Sequence, residues 1–137
     1  MVAGALALAW VLDRVWTVQI GPPAPSLGGM VVFLALMLIG WALLTLARSG
    51  VDPRPDRPDA ALVTGGPFRF GRNPIYLGFL LVATGLALWH GTLWWWLAVV
   101  ASHAILDRLV IAREEAYLAA RFGAAYEAYR TRVRRWM

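Results

Sequence analysis

The chain has 137 residues, of which 60% are hydrophobic and only 15% charged, with a mean hydropathy of +0.59. Soluble domains carry roughly 25% charged residues, so an ordinary water-soluble domain is excluded, and the length suffices for one domain. The absence of cysteine removes disulfides and thiolate metal sites, and the net charge of +5, carried by 13 arginines and no lysine, belongs beside a membrane rather than on nucleic acid, because the apolar runs leave little polar surface for a duplex to meet.

Residues 2–20 read as a first membrane segment. Met1 to Trp10 is apolar, but no basic stretch precedes it and Asp13-Arg14 interrupts it before any cleavage-like site, so it is expected to stay rather than to be removed as a signal peptide. A charge at mid-bilayer costs about 2.5–3.5 kcal/mol on insertion scales; Asp13 and Arg14 therefore either face protein or reach an interface. An uncharged Pro/Gly turn, IGPPAPSLGG, ends the segment. Residues 29–47 follow as a charge-free run, close to the ~20 residues of a bilayer crossing, and Arg48 closes it.

Residues 48–74 are polar and hold five of the eight prolines, a stretch too long for an idle connector. Residues 75–89 and 92–106 are apolar again and break at His90-Gly91, which predicts a hairpin of short or tilted helices: about 15 residues at ~1.5 Å each do not comfortably cross a ~30 Å core. Asp107 and Arg108 mark the predicted exit from the apolar zone. From Glu114 onward, Leu118, Phe122, Tyr126, Tyr129, Val133 and Trp136 recur at helical spacing, with Gly123 as a bend. The expected architecture is all-α: an integral membrane helical bundle of about four membrane helices plus a cytoplasmic amphipathic C-terminal helix. It forms one domain over residues 1–137, divided into two N-terminal helices (1–47), a loop (48–74), the hairpin (75–106) and the tail (107–137).

Orientation follows from the arginines. Residues 48–72 hold five, residues beyond 106 hold seven, and the two opposite turns hold none. The positive-inside rule puts the loop and the tail together in the cytoplasm. Two constellations thereby share one membrane face. The first is GPFRFGRNPIYLG, residues 66–78. Pro67 and Pro74 restrict the backbone, Pro74 suits the first turn of a helix, Gly65-Gly66 permit close approach, and Arg72 offers a planar fork for a carboxylate or phosphate. The plainer alternative is a juxtamembrane Arg pair on lipid phosphates. The second is Glu114-Glu115, which suits a cationic ligand or, equally, pairs with nearby arginines. The tail, YEAYRTRVRRW, suits an in-plane helix on anionic lipid. His90 and His103, without cysteines, make no convincing metal site.

In this order, LVTGGPFRFGRNPIYLG and VIAREEAYLAARFGAAYEAYRTRVRRW resemble the isoprenylcysteine carboxyl methyltransferase and phospholipid methyltransferase superfamily of integral membrane enzymes, over residues 48–137. The resemblance implies S-adenosylmethionine as methyl donor, a bacterial inner-membrane setting with the active site facing the cytoplasm, and a lipophilic or lipid-modified acceptor such as an isoprenylcysteine carboxylate. It also implies that Gly65, Gly66, Asn73, Tyr76, Glu114 and Glu115 line the cofactor site and that Arg72 and Arg132 lie near the reacting acceptor. The family motif reads Arg-His-Pro-x-Tyr; here Asn73 replaces the histidine and cannot titrate. Carboxylates and aromatic rings suit the donor's sulfonium and ammonium, arginine suits its carboxylate, and in-line methyl transfer requires no metal. Two other classes of function compete with this one. A four-helix exporter for hydrophobic cations would use Asp13 in the first helix, and a non-enzymatic scaffold would use the Arg-rich tail.

Overall fold

The computed structural model describes residues 1–50 and 62–137. The Pro-rich middle of the predicted 48–74 loop, with Arg54 and Arg57, lies outside the described residues. Among those described, all named elements are helical: α1 Val2–Val15, α2 Pro25–Arg48, a 3-10 turn Gly66–Arg69, α3 Pro74–His90, α4 Leu93–Ile105, a π turn Leu106–Ile111, α5 Ala112–Phe122 and α6 Ala124–Arg132.

Local chemistry sets most of these boundaries. Pro25 and Pro74 open α2 and α3, where a residue lacking an N–H costs no intrahelical bond. Gly91 closes α3 with φ +69°, a left-handed cap that a Cβ would oppose. α1 ends at Val15, short of the expected Ile20, and its last turn carries Asp13 and Arg14. The chain then runs alongside the α3–α4 turn. Leu93 N–H donates to Val18 O at 2.8 Å, Ile20 and Gly21 N–H both reach Gly91 O, and Ala24 N–H donates to Leu88 O at 2.9 Å. Backbone groups that leave a helix within an apolar protein need such partners, so residues 16–24 are held to the turn.

α2 and α3 pack antiparallel through small residues. Gly28, Ala35 and Ala42 of α2 are buried, as are Gly78, Ala83 and Gly85 of α3. A Cβ on Gly85 would lie 2.7 Å from the Gly28 carbonyl oxygen and 3.0 Å from Val32 N, so the backbones touch as in small-xxx-small membrane pairs. α1 packs on α4 around Ala9, Ala87, Trp95 and Ala98. The outer side of α2 stays uncovered, with Phe33, Leu34 and Met37 more than half exposed. A helix apolar on all sides and this bare belongs in lipid.

The second hairpin arm runs on past Leu106, where its apolar run gives way to Asp107 and Arg108. α4, the π turn and α5 form one helix, Leu93–Phe122, of 30 residues. Asp107 does not end it because its carboxylate pairs with Arg135 at 3.0 Å. Among the described residues, this helix and α2 are the two long and apolar enough to cross a membrane. α1, with 14 residues, and α3, with 17, fall short of the ~20-residue length. The tail bends at Gly123, where φ is +48°, so the amphipathic stretch is divided between the end of the long helix and the short α6.

Candidate active site

The segment before α3 is shaped by its prolines and pinned by the C-terminus. Arg72 N–H donates to Arg134 O at 2.9 Å. Asn73 occupies the N-cap of α3 but makes no capping bond there; its buried amide donates instead to Arg135 O at 3.2 Å. Gly71 lies against Met137, where a Cβ would come within 3.2 Å of the Met137 nitrogen. Tyr129 of α6 donates its hydroxyl to Phe68 O at 2.6 Å. The loop ahead of α3 is therefore clamped by residues 60 or more positions away in the sequence.

The long helix brings carboxylates to this corner. Arg72 Nη2 lies 3.0 Å from Glu115 Oε1, with side chains 10% and 13% exposed. Arg135 grips the same carboxylate through two bonds, Nε to Oε1 at 3.2 Å and Nη2 to Oε2 at 2.6 Å, and reaches Asp107 through Nη1 at 3.0 Å. Two guanidiniums thus balance two carboxylates. Glu114 stands apart, accepting one hydrogen bond from the Tyr76 hydroxyl at 2.7 Å. Arg72 Nη1 also approaches the Tyr126 hydroxyl at 3.4 Å, and Arg72 Nε is buried with no partner among the described residues.

The electrostatics match this geometry. The hydrogen bonds that Arg135 donates to Glu115, and then the one it donates to Asp107, hold it more firmly protonated than a free arginine. Burial, followed by the charge on Glu115, raises the Tyr126 hydroxyl above its ordinary value. Burial pushes Tyr129 up to about 12. Both tyrosines are therefore neutral hydrogen-bonding groups at physiological pH.

A cavity of about 470 Å³ adjoins the cluster, between α1, α3 and the long helix. Its walls include Val2, Leu6, Phe79, Val82 and Val110, and Tyr76 also lines it. Tyr76 is thus shared between an apolar groove and the Glu114 carboxylate.

The structure brings Arg72, Asn73, Tyr76, Glu114 and Glu115 together at one end of the bundle. It does not bring Arg132 to them: that side chain is exposed, and its Nε donates to Ala128 O at 3.1 Å. Gly65 and Gly66 sit toward α2. A Cβ on Gly66 would strike Thr45, whereas one on Gly65 would meet open space. Sequence reasoning missed Arg135 and took Asp107 as a mere boundary. His103, four residues before Asp107, stacks on Trp136 at 5.5 Å. His90 stacks on Trp95 at 4.3 Å, with its Nδ1 4.0 Å from Asp13 Oδ2.

The groups at the corner fit an S-adenosylmethionine molecule in kind. Glu114 and the Tyr76 ring offer a negative charge and a π face to cations, and the orphaned N–H of Arg72 offers a donor to a carboxylate.

Comparison with known proteins bears on the same residues. The profile of a family described as "Phospholipid methyltransferase" matches residues 25–125. A protein of Haemophilus influenzae strain Rd, described as "Uncharacterized protein", is 40% identical over 63 residues, which span 46% of this chain and all of that one. No solved structure matches the chain.

Proposed function

Because the chain belongs to the phospholipid methyltransferase family, we propose that this membrane protein transfers a methyl group from S-adenosylmethionine to a lipophilic acceptor at the cytoplasmic face of the bacterial inner membrane. The observation that carries the reading is the double role of Tyr76, which walls an apolar groove and hydrogen-bonds the carboxylate of Glu114. A polar donor and a greasy acceptor need such a shared boundary if their reacting atoms are to meet.

S-adenosylmethionine supplies an electrophilic methyl on its sulfonium, displaced in line by the acceptor's nucleophile. The chain's own residues bind and orient. Glu114 and the Tyr76 ring suit the cationic end, the Arg72 guanidinium suits the carboxylate, and Gly65, where a Cβ would meet open space, permits close approach. Asn73 holds the C-terminal backbone, which is a task for an amide and does not require a titrating histidine. Arg132, exposed on α6 with Arg130 and Arg134 near it in the tail, is free to meet an anionic group arriving from lipid only away from the corner. The groove walls admit an apolar chain from the bilayer and exclude water from the methyl transfer.

Calorimetric titration of the protein in nanodiscs with S-adenosylmethionine tests the reading. Saturable binding that Glu114→Gln weakens tenfold or more is expected, and no binding by the unaltered protein refutes it. Membranes incubated with isotopically labelled donor, followed by mass spectrometry of lipids and small metabolites, would identify the acceptor. The exporter alternative rests on Asp13, which the structure places in the last turn of α1 beside His90. Proton-coupled efflux from proteoliposomes that is lost in Asp13→Asn would favour it.

A further inference from the structure

Beyond α6 the chain leaves the helix at Val133, with φ −122° and ψ 127°, and crosses the corner as an extended strap. Its backbone and side chains serve different partners. The carbonyls of Arg134 and Arg135 accept from Arg72 N–H and the Asn73 amide. The Arg135 guanidinium turns to the long helix and binds Glu115 bidentately and Asp107 singly. Trp136 packs on the buried cluster of Leu80, Leu106 and Ile111, which Tyr76 also touches. The strap is thus sandwiched between the corner and the helix.

Reaching both carboxylates with one guanidinium demands that Asp107 and Glu115 share a helix face. Eight residues of regular α-helix turn about 800°, which leaves the two side chains about 80° apart. The π turn Leu106–Ile111 contains Asp107 and covers the first part of the interval to Glu115. One residue accommodated as a π bulge reduces the effective separation to about seven positions, within about 20° of two full turns. The π turn therefore aligns the pair that Arg135 bridges.

We infer that Arg135 is the positioning residue of this site: by tying Glu115 and Asp107 to the strap that holds Arg72 and Asn73, it fixes the corner and leaves Glu114, with Tyr76, as the carboxylate that meets a cationic ligand. The adjacent acids then do different work. Glu115 is spent on two arginines, while Glu114 is exposed and bonded only to a neutral hydroxyl among the described residues. The assignment of Glu114 rests on the methyl-transfer reading; the positioning by Arg135 does not.

Two readouts test it. The chain has no cysteine, so spin labels on Thr64→Cys and Ala120→Cys, both exposed positions, report the corner-to-helix distance by pulsed electron resonance without any ligand. Binding of S-adenosylmethionine is measured by calorimetry on the same nanodisc samples. Arg135→Gln is expected to broaden the distance distribution and weaken binding at least tenfold while circular dichroism keeps its helical signal. Arg135→Lys, a point charge that cannot fork, falls between. Glu114→Gln weakens binding with the distribution still narrow. Glu115→Gln combined with Arg135→Gln binds no worse than Arg135→Gln alone. A narrow distribution and unchanged affinity in Arg135→Gln overturn the inference, as does Glu114→Gln leaving the binding of the donor unchanged. Should Arg135→Gln not fold, Arg135→Lys decides by the same readouts, unchanged values overturning the idea. If the unaltered protein binds no donor, the methyl-transfer reading and the role of Glu114 fall together, and the distance distribution alone judges Arg135.

Discussion

Replacing Glu115 by glutamine removes one negative charge with little change in shape, and the structure specifies what is left behind. Among the described residues, Arg72, only 10% exposed, keeps the Tyr126 hydroxyl at 3.4 Å as its remaining side-chain partner, and its Nε is already unpaired. Breaking a buried pair by removing one partner costs about 3–5 kcal/mol. Arg135 adds little to this, because it is 35% exposed and keeps Asp107 at 3.0 Å, so water screens its loss. The lower end applies: about 3 kcal/mol, roughly a hundredfold in the folding equilibrium. The double variant Arg72→Met/Glu115→Gln removes the stranded charge as well and should be less destabilised than the sum of the single variants by about 2 kcal/mol. Unfolding in mixed detergent micelles, followed by tryptophan fluorescence and circular dichroism, measures both quantities. A Glu115→Gln protein within about 0.5 kcal/mol of the unaltered one, or additivity to that margin, would show that the pair is not the buried contact described.

Other expectations follow from separate parts of the fold. Gly85→Ala presses a methyl against the Gly28 carbonyl and Val32 N, backbone atoms that cannot swing aside, and should cost about 1–3 kcal/mol in the same titration; Gly4→Ala, with open space around it, should cost nothing. Tyr129 has a folded pKa of about 12, above the ~10 of an unfolded chain, so its contribution is complete below pH 10 and lost as pH rises through 10–12. Stability should fall over that window, and Tyr129→Phe should flatten the fall while costing about 1–3 kcal/mol at neutral pH for the stranded Phe68 carbonyl. Val82→Trp, which fills the groove, should raise the acceptor KM several-fold and leave S-adenosylmethionine affinity unchanged, as steady-state kinetics and calorimetry would record.

The sequence by itself determined the helical elements, their order and the two motifs, because the signals involved are local. Pro74 starts a helix, Gly91 and Gly123 end helices, and an apolar run such as residues 29–47 can satisfy its backbone in lipid only as a helix, whereas Pro25, read as part of a turn, opens α2 ahead of that run. Those signals act over three or four residues and lose force beyond that. Asp107 looked like an exit from the apolar zone because nothing nearby announces Arg135, 28 positions later, as its partner. Arg130, Arg132, Arg134 and Arg135 are alike in composition. Helical spacing reaches Arg130 and Arg132 on α6 but not Arg134 and Arg135, which follow the exit from the helix at Val133, and the strap's path alone turns Arg135 to the acids. Tertiary structure decided which arginine meets which acid, because an ion pair depends on a few ångströms of separation set by packing. The contact of Gly28 with Gly85, the seat of Trp136 and the extra residue of the π turn all contribute to that packing.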